Sequence, residues 1–429
     1  METKNNYLKR DTYFNIANIS FIILIFFTVF GTALPFRSKA AEVAEIGTSN
    51  IINQIVFSSL FILSLIALLP KRRELLSFII KEKFLTAFII WCFLSLIWSE
   101  FSFNSFKRLF QMFCTISVSI AFLLHNDSRN DLLKFIKYII YLYLILSFLS
   151  VILVPDALDP DFHTWRGLTS QKNMLGQDAL ISSIFCYLFY KNTDEFYSRV
   201  IAMMMMLLSI VLMVGSMSST SILIFIFLLA LSIFYFVYKL FEPTGYGRTA
   251  ASILIFTLLS CLLAVITLAP DFFKLIPELF GKDDTFSGRT DLWTYMLFEI
   301  SKHPWLGAGY QGFWVVENKS VLVIYDYFVW LPNQSHNGYI DIINEVGFIG
   351  FILFLFFIVS YFTRFAISKI KSQWIWFMII AVISNFQEST FFRPGHLLSA
   401  LVVFAYLITA FDSFDPYKNN NEKKIIKIQ

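Results

Sequence analysis

The chain has 429 residues, 57% of them hydrophobic and 15% charged, with 51 Phe, a mean hydropathy of +0.67 and a formal net charge of +4. A soluble domain carries roughly 25% charged residues, so composition excludes one, and so small a net charge gives no footprint for nucleic acid. The apolar residues form blocks close to the ~20 residues that cover a ~30 Å hydrocarbon core, without strand-like alternation, which predicts an all-α polytopic membrane protein.

About twelve spans are predicted in chain order, near 16–34, 51–69, 84–98, 109–124, 135–154, 175–190, 200–214, 220–238, 250–268, 340–362, 374–388 and 397–411. The first is followed by "SKAAEVA", which resembles a cleavage site, but its apolar run exceeds a usual signal-peptide core and reads as a retained span. The third, sixth and seventh are short enough to be tilted or partly interfacial. Cys92, Cys114, Cys186 and Cys261 lie singly inside apolar blocks and read as small buried hydrophobes. An even count puts both termini on one side. Most of the 34 Lys and Arg, including Arg72, Arg73, Lys134, Lys369 and Lys423, then fall on that side, which the positive-inside rule makes cytoplasmic. The resulting organisation is a membrane domain over 1–411 and a polar, mobile cytoplasmic tail over 412–429.

One external loop, about 269–338, is far longer than the rest, and long connections are usually functional. Within it Leu292, Trp293, Met296, Leu297 and Ile300 recur at helical spacing, with Asp291 and Glu299 off that face; Pro304 and Gly307 end the helix. Such a helix lies along the membrane surface or caps a cavity. At the loop's end stands "NQSHNGYIDIINEVGFIGFILFL", in which Asn337, Asp341, Asn344 and Glu345 form one polar stripe on the outer turns of the tenth span. Charged groups at membrane depth cost roughly 2.5–3.5 kcal/mol each and normally face a wet cavity. The stretch is therefore either a capped helix mouth or the floor of an outward-open cavity in which His336 acts as base or positioning group.

Outside basic residues run against the charge rule: Lys107 and Arg108, Arg166 and Lys172 beside Asn173, Arg289, and Arg393 near His396. Singly each reads as a snorkelling side chain; together they suit an anionic head group. "GAGYQG", Gly307 to Gly312, matches a dinucleotide-binding pattern only formally, because it follows a helix and opens no βαβ unit; it reads as a tight turn or a phosphate cradle. There is no Walker loop, no His/Cys metal spacing, no Asp-x-Asp pair and no serine elbow, so no metal or cofactor is expected.

Taken in order, "RGLTSQKNMLG", "GRTDLW…HPWLGAGYQGF" and "HNGYIDIINEVGFIG" resemble the O-antigen ligase and Wzy-type polymerase superfamily, over most of the chain. The resemblance implies a metal-independent, inverting glycosyltransferase of the bacterial inner membrane. Its donor would be an undecaprenyl-pyrophosphate-linked glycan taken on the periplasmic side, its acceptor a glycan or lipid A–core, with polysaccharide assembly and export proteins as partners. It also implies that His336 is the base or acceptor-orienting group, that Arg166 and Arg289 pair with the donor pyrophosphate, and that Lys172, Arg108 and Asn337 assist. Many relatives carry a basic residue after the serine at the seventh/eighth span junction, where this chain reads "GSMSSTS". The competing classes are a polysaccharide or lipid-linked oligosaccharide flippase, which predicts repeated halves and polar groups at the midplane, and a non-catalytic assembly partner that tolerates loss of His336.

Overall fold

The computed structural model describes residues 2–31, 50–126, 130–159, 164–242, 289–328, 331–368 and 373–414. It is all-α: among these residues the only β feature is an isolated bridge between Leu158 and Trp165. Among the described residues eight helices are long and apolar enough to cross a membrane. They are α1 (Glu2–Phe30, apolar from Thr12), α2 (Ile51–Leu68), running through a 3-10 turn into α3 (Arg72–Lys81), α5 (Ser102–His125), α6 (Asn130–Leu153), α8 (Phe196–Gly215), α9 (Ser219–Phe241), α12 (Gly338–Ile367) and α14 (Leu397–Phe414). Two shorter apolar helices, α4 (Lys83–Leu94) and α13 (Ile375–Ser384), fill the third and eleventh expected places. The ninth span, "SKAAEVA", the loop up to residue 288 and the tail from 415 lie outside the described residues; the last helix itself runs to Phe414.

The sixth expected span is α7 (Lys172–Lys191), which is not tilted out towards lipid. Its Gln177, Ser182 and Ser183 are buried, and it packs most extensively against α8 and also on α6 and α9. Polar residues lower its hydropathy because it lines the interior of the bundle. α14 is the most enclosed span, with 78% of its apolar window buried against α1, α5, α12 and α13. On the side away from the long loop, Glu82, 1% exposed between α3 and α4, accepts from Tyr406 Oη at 2.5 Å and pairs with Arg364 at 2.6 Å. That knot ties the inner ends of α12 and α14 to the α3–α4 corner.

The tenth expected span departs from a plain helix. α12 is broken at Gly347, whose φ of 67° and ψ of −178° only glycine adopts readily. The break removes the ladder bonds that Phe348 and Ile349 would make, and the "HPWLGAG" loop supplies substitutes. Phe348 N donates to Pro304 O at 2.8 Å, while Ala308 N and Gly309 N donate to Asn344 O and Glu345 O, both at 2.8 Å. Trp91 Nε1 takes the next carbonyl, Val346 O, at 2.9 Å. Unpaired backbone groups are not tolerated at this depth, so loop and break form one unit. A Cβ on Gly347 would lie 2.2 Å from Trp305 O, and one on Gly307 2.6 Å from Glu345 O. The amides of "GAGYQG" at 308 and 309 are therefore spent inside the protein.

The long loop folds its own small core. α10 (Arg289–Lys302) and α11 (Lys319–Tyr327) enclose Leu292, Met296, Phe313, Trp314, Val321, Ile324 and Phe328. The predicted amphipathic face needs correction: Leu292, Met296 and Ile300 point inward, but Leu297 is 59% exposed, while Glu299 is buried with them. Glu299 can sit there because Lys302 Nζ, at 2.8 Å, and Ser320 Oγ, at 3.0 Å, satisfy it.

Candidate active site

Two segments converge where the loop core meets the spans. One is the turn before α12; the other is the connection between α13 and α14, residues 385–396, whose first four positions had been expected inside a span. Asn385, fully buried, shapes that connection: its Oδ1 accepts from Thr390 N at 2.8 Å and Phe391 N at 3.2 Å, and its Nδ2 donates to Ala381 O at 2.7 Å. Gly338 N caps the same segment through Asn385 O at 2.8 Å, and a Cβ at 338 would strike the Asn385 side chain.

The turn carrying His336 is pinned from several directions. Ser335 N reaches both oxygens of Asp341 at 3.2 Å, Ser335 Oγ donates to Asn337 O at 2.8 Å, and Trp293 Nε1 from α10 holds Ser335 O at 2.9 Å. Asp341 also accepts from Trp314 Nε1 at 3.0 Å, from Ser389 Oγ, and from Arg393 at 2.9 Å. Arg393 reaches on to Glu345 at 3.1 Å. The two carboxylates of the polar stripe are thus structural clamps on the turn and on Arg393. Asn337 is the helix N-cap, its Oδ1 accepting from Tyr339 N and Ile340 N at 3.1 and 3.2 Å. The clamp forces His336 to φ 52°, a left-handed conformation that costs a non-glycine residue on the order of 1 kcal/mol.

Against His336 stands Glu388. Its Oε2 lies 3.2 Å from His336 Nδ1 and its Oε1 3.3 Å from Arg289 Nη2, while Asn173 Nδ2 donates at 2.8 Å and Gln334 Nε2 at 3.2 Å. Burial raises the pKa of this carboxyl, but His336 and Arg289 more than offset that and bring it down to about 2. An ionised carboxylate has only acceptors, so Nδ1 carries the proton and donates. Arg289 Nη2 and Gln334 Nε2, each 3.4 Å from Nδ1, are then close contacts between donors. In the neutral ring the lone pair sits on Nε2, the arrangement of a base whose orientation a carboxylate sets.

Beside this cluster opens a polar cavity of about 330 Å³, lined among others by Arg108, Asn173, Gln311, Glu388, Arg393 and His396. Of the residues singled out in the sequence, Arg289 and His336 meet through Glu388, and Arg108 faces the same cavity. Arg166 does not reach it: its guanidinium is tied to Asp156 O at 2.6 Å and Ser170 O at 3.3 Å, shaping the rim segment. Lys172 opens α7 outside the cavity lining. The "GSMSSTS" junction seats the same rim, since Trp165 N donates to Gly215 O at 3.0 Å and the indole lies where a Cβ on Gly215 would be. Among the described residues Arg108 makes no hydrogen bond or ion pair, whereas Arg289 and Arg393 are both held by carboxylates. Among the same residues no three His, Cys, Asp or Glu side chains gather as a metal site.

Residues 204–355 match a family model described as O-antigen ligase. No curated protein matches the chain. The matched segment runs from α8 to beyond the break in α12 and contains Arg289, His336, Asp341 and Glu345. The cavity residues Arg108, Asn173, Glu388, Arg393 and His396 come from outside it. Glu388 was not singled out in the sequence, although a lone carboxylate in "SNFQESTFF" between the last two spans is itself a signal.

Proposed function

We propose that this protein is a membrane glycosyltransferase that joins or polymerises glycan carried on undecaprenyl pyrophosphate, at the periplasmic face of a bacterial inner membrane with both termini cytoplasmic. The observation that carries this reading is the Glu388-oriented His336 beside a polar cavity whose one unpartnered guanidinium, among the described residues, is Arg108. The O-antigen ligase match supports the class of reaction. His336 Nε2 takes the proton of the acceptor hydroxyl as its oxygen attacks the anomeric carbon. The carbon–oxygen bond to the pyrophosphate breaks on the opposite side, which inverts the centre, and the growing phosphate charge is met by Arg108 and by Arg289 turning from Glu388. The growing negative charge of the leaving group is thereby met by fixed cations of the protein. Arg166, Lys172 and Asn337 act at one remove, shaping the rim and the His336 turn.

The test is His336→Ala in the native host at unchanged membrane level, with surface polysaccharides resolved on gels. Bare lipid A–core with long glycan retained on the lipid carrier identifies a ligase; cores or carriers bearing single repeat units identify a polymerase. An unchanged profile refutes the role of His336 and with it this reading.

A further inference from the structure

Besides the neighbouring His336, this cavity has an imidazole of its own. His396 lines it from the end of the α13–α14 connection, and also lines a narrow crevice that continues from it past Thr28 and Thr115. Unlike His336, its ring makes no hydrogen bond among the described residues; only its backbone is engaged, through Arg393 O and Ala400 N. The charged groups facing it are Arg393 on its own segment, Arg108 on α5 and Glu388. Arg393 is committed to Asp341 and Glu345. An unpartnered imidazole beside an unpartnered guanidinium is a costly arrangement for an empty site and a favourable one when an anion bridges them.

We infer that Arg108 and His396 form a proton-linked subsite for the diphosphate of the donor, in which His396 takes up one proton from the medium as the anion binds. This rests on the reading that an anionic, lipid-linked donor occupies the cavity. Burial, and then Arg393 and Arg108, push His396 down to about 4, so the ring is neutral in the empty site at any ordinary pH. A bound diphosphate reverses the sign of the local field. If the ring regains its ordinary value near 6.5, linkage makes the affinity about tenfold tighter at pH 5.5 than at pH 7.5. The proton is released again when the diphosphate leaves, so product release is favoured as the pH rises.

The experiment is calorimetric titration of the full-length protein in detergent with farnesyl diphosphate, a short prenyl diphosphate, at pH 5.5 and 7.5. Each titration is run in two buffers of different ionisation enthalpy, which gives the protons taken up. Wild type is expected to bind about tenfold tighter at pH 5.5, with more proton uptake than His396→Gln shows under the same conditions; the probe's own titration is common to both and cancels. Arg108→Gln, which leaves the imidazole in place, is expected to bind more weakly and with a flatter pH dependence. Equal proton uptake in wild type and His396→Gln overturns the proposal while leaving the glycosyltransferase reading intact. The same pH dependence of affinity in wild type and His396→Gln overturns it too. Absence of binding to wild type at both pH values overturns both.

Discussion

Replacing Glu388 by Gln keeps the shape of the side chain and one acceptor oxygen, and removes the charge. Glu388 is 8% exposed and is contacted by a guanidinium, an imidazole and two amides. Its pKa falls from 4.5 to about 2, which corresponds to about 3 kcal/mol in favour of the ionised form. That agrees with the ~3–5 kcal/mol typical of removing one member of a buried pair, because Arg289 is left without its counter-charge. Thermal unfolding of the purified protein in detergent is therefore expected to show Glu388→Gln clearly less stable at pH 7. The sign with pH follows from the depressed value. The contribution is complete above the unfolded pKa of 4.5 and is lost as pH falls towards 2, so the two proteins converge at acid pH. Glycan transfer should fall by about 100-fold or more, since Nδ1 is no longer held by an anion and the lone pair on Nε2 is no longer aimed. A stability gap that persists undiminished at pH 2–3, or a variant with wild-type transfer, would refute this account of the Glu388–His336 pair.

Three further outcomes are expected. Gly347→Ala places a Cβ 2.2 Å from Trp305 O at a φ of 67°, so the loop must leave the helix break; membrane levels and melting temperature should drop sharply, whereas Gly395→Ala, with nothing within 4 Å of its Cβ, should cost about 1 kcal/mol or less from its φ of 83°. Trp293→Phe removes only the bond to Ser335 O; about 1 kcal/mol of stability should be lost, together with transfer activity out of proportion to it, because the His336 turn loosens. On the opposite side, Glu82→Gln should destabilise by ~3 kcal/mol or more, and combining it with Arg364→Met should cost less than the sum, a coupling that a double-mutant cycle reads directly.

Much of the architecture was legible before any contact was known. Span length, apolar content and charge asymmetry depend only on local composition, so every expected span within the described residues appears as a helix. The helix at 289–302 followed from its periodicity, but Glu299 and Leu297 exchanged places across its face. Periodicity assigns a residue to a direction, whereas Lys302 and Ser320, one of them on another helix, decide whether a carboxylate in that direction can be buried.

The residues of the proposed chemistry, His336 with Arg108 and Arg289, drew notice in the sequence alone, because basic groups outside the membrane and a histidine at a span mouth need a reason wherever they fold. Only the tertiary structure could pair His336 with Glu388, 52 positions away, and turn Asp341 and Glu345 from members of a polar stripe into clamps. Only it could separate Arg166, spent on backbone carbonyls, from Arg108, which faces the cavity without a partner among the described residues. The physical reason is that a helix or span is stabilised by neighbours in the chain, while the role of a charged side chain is set by which distant groups desolvate and pair it.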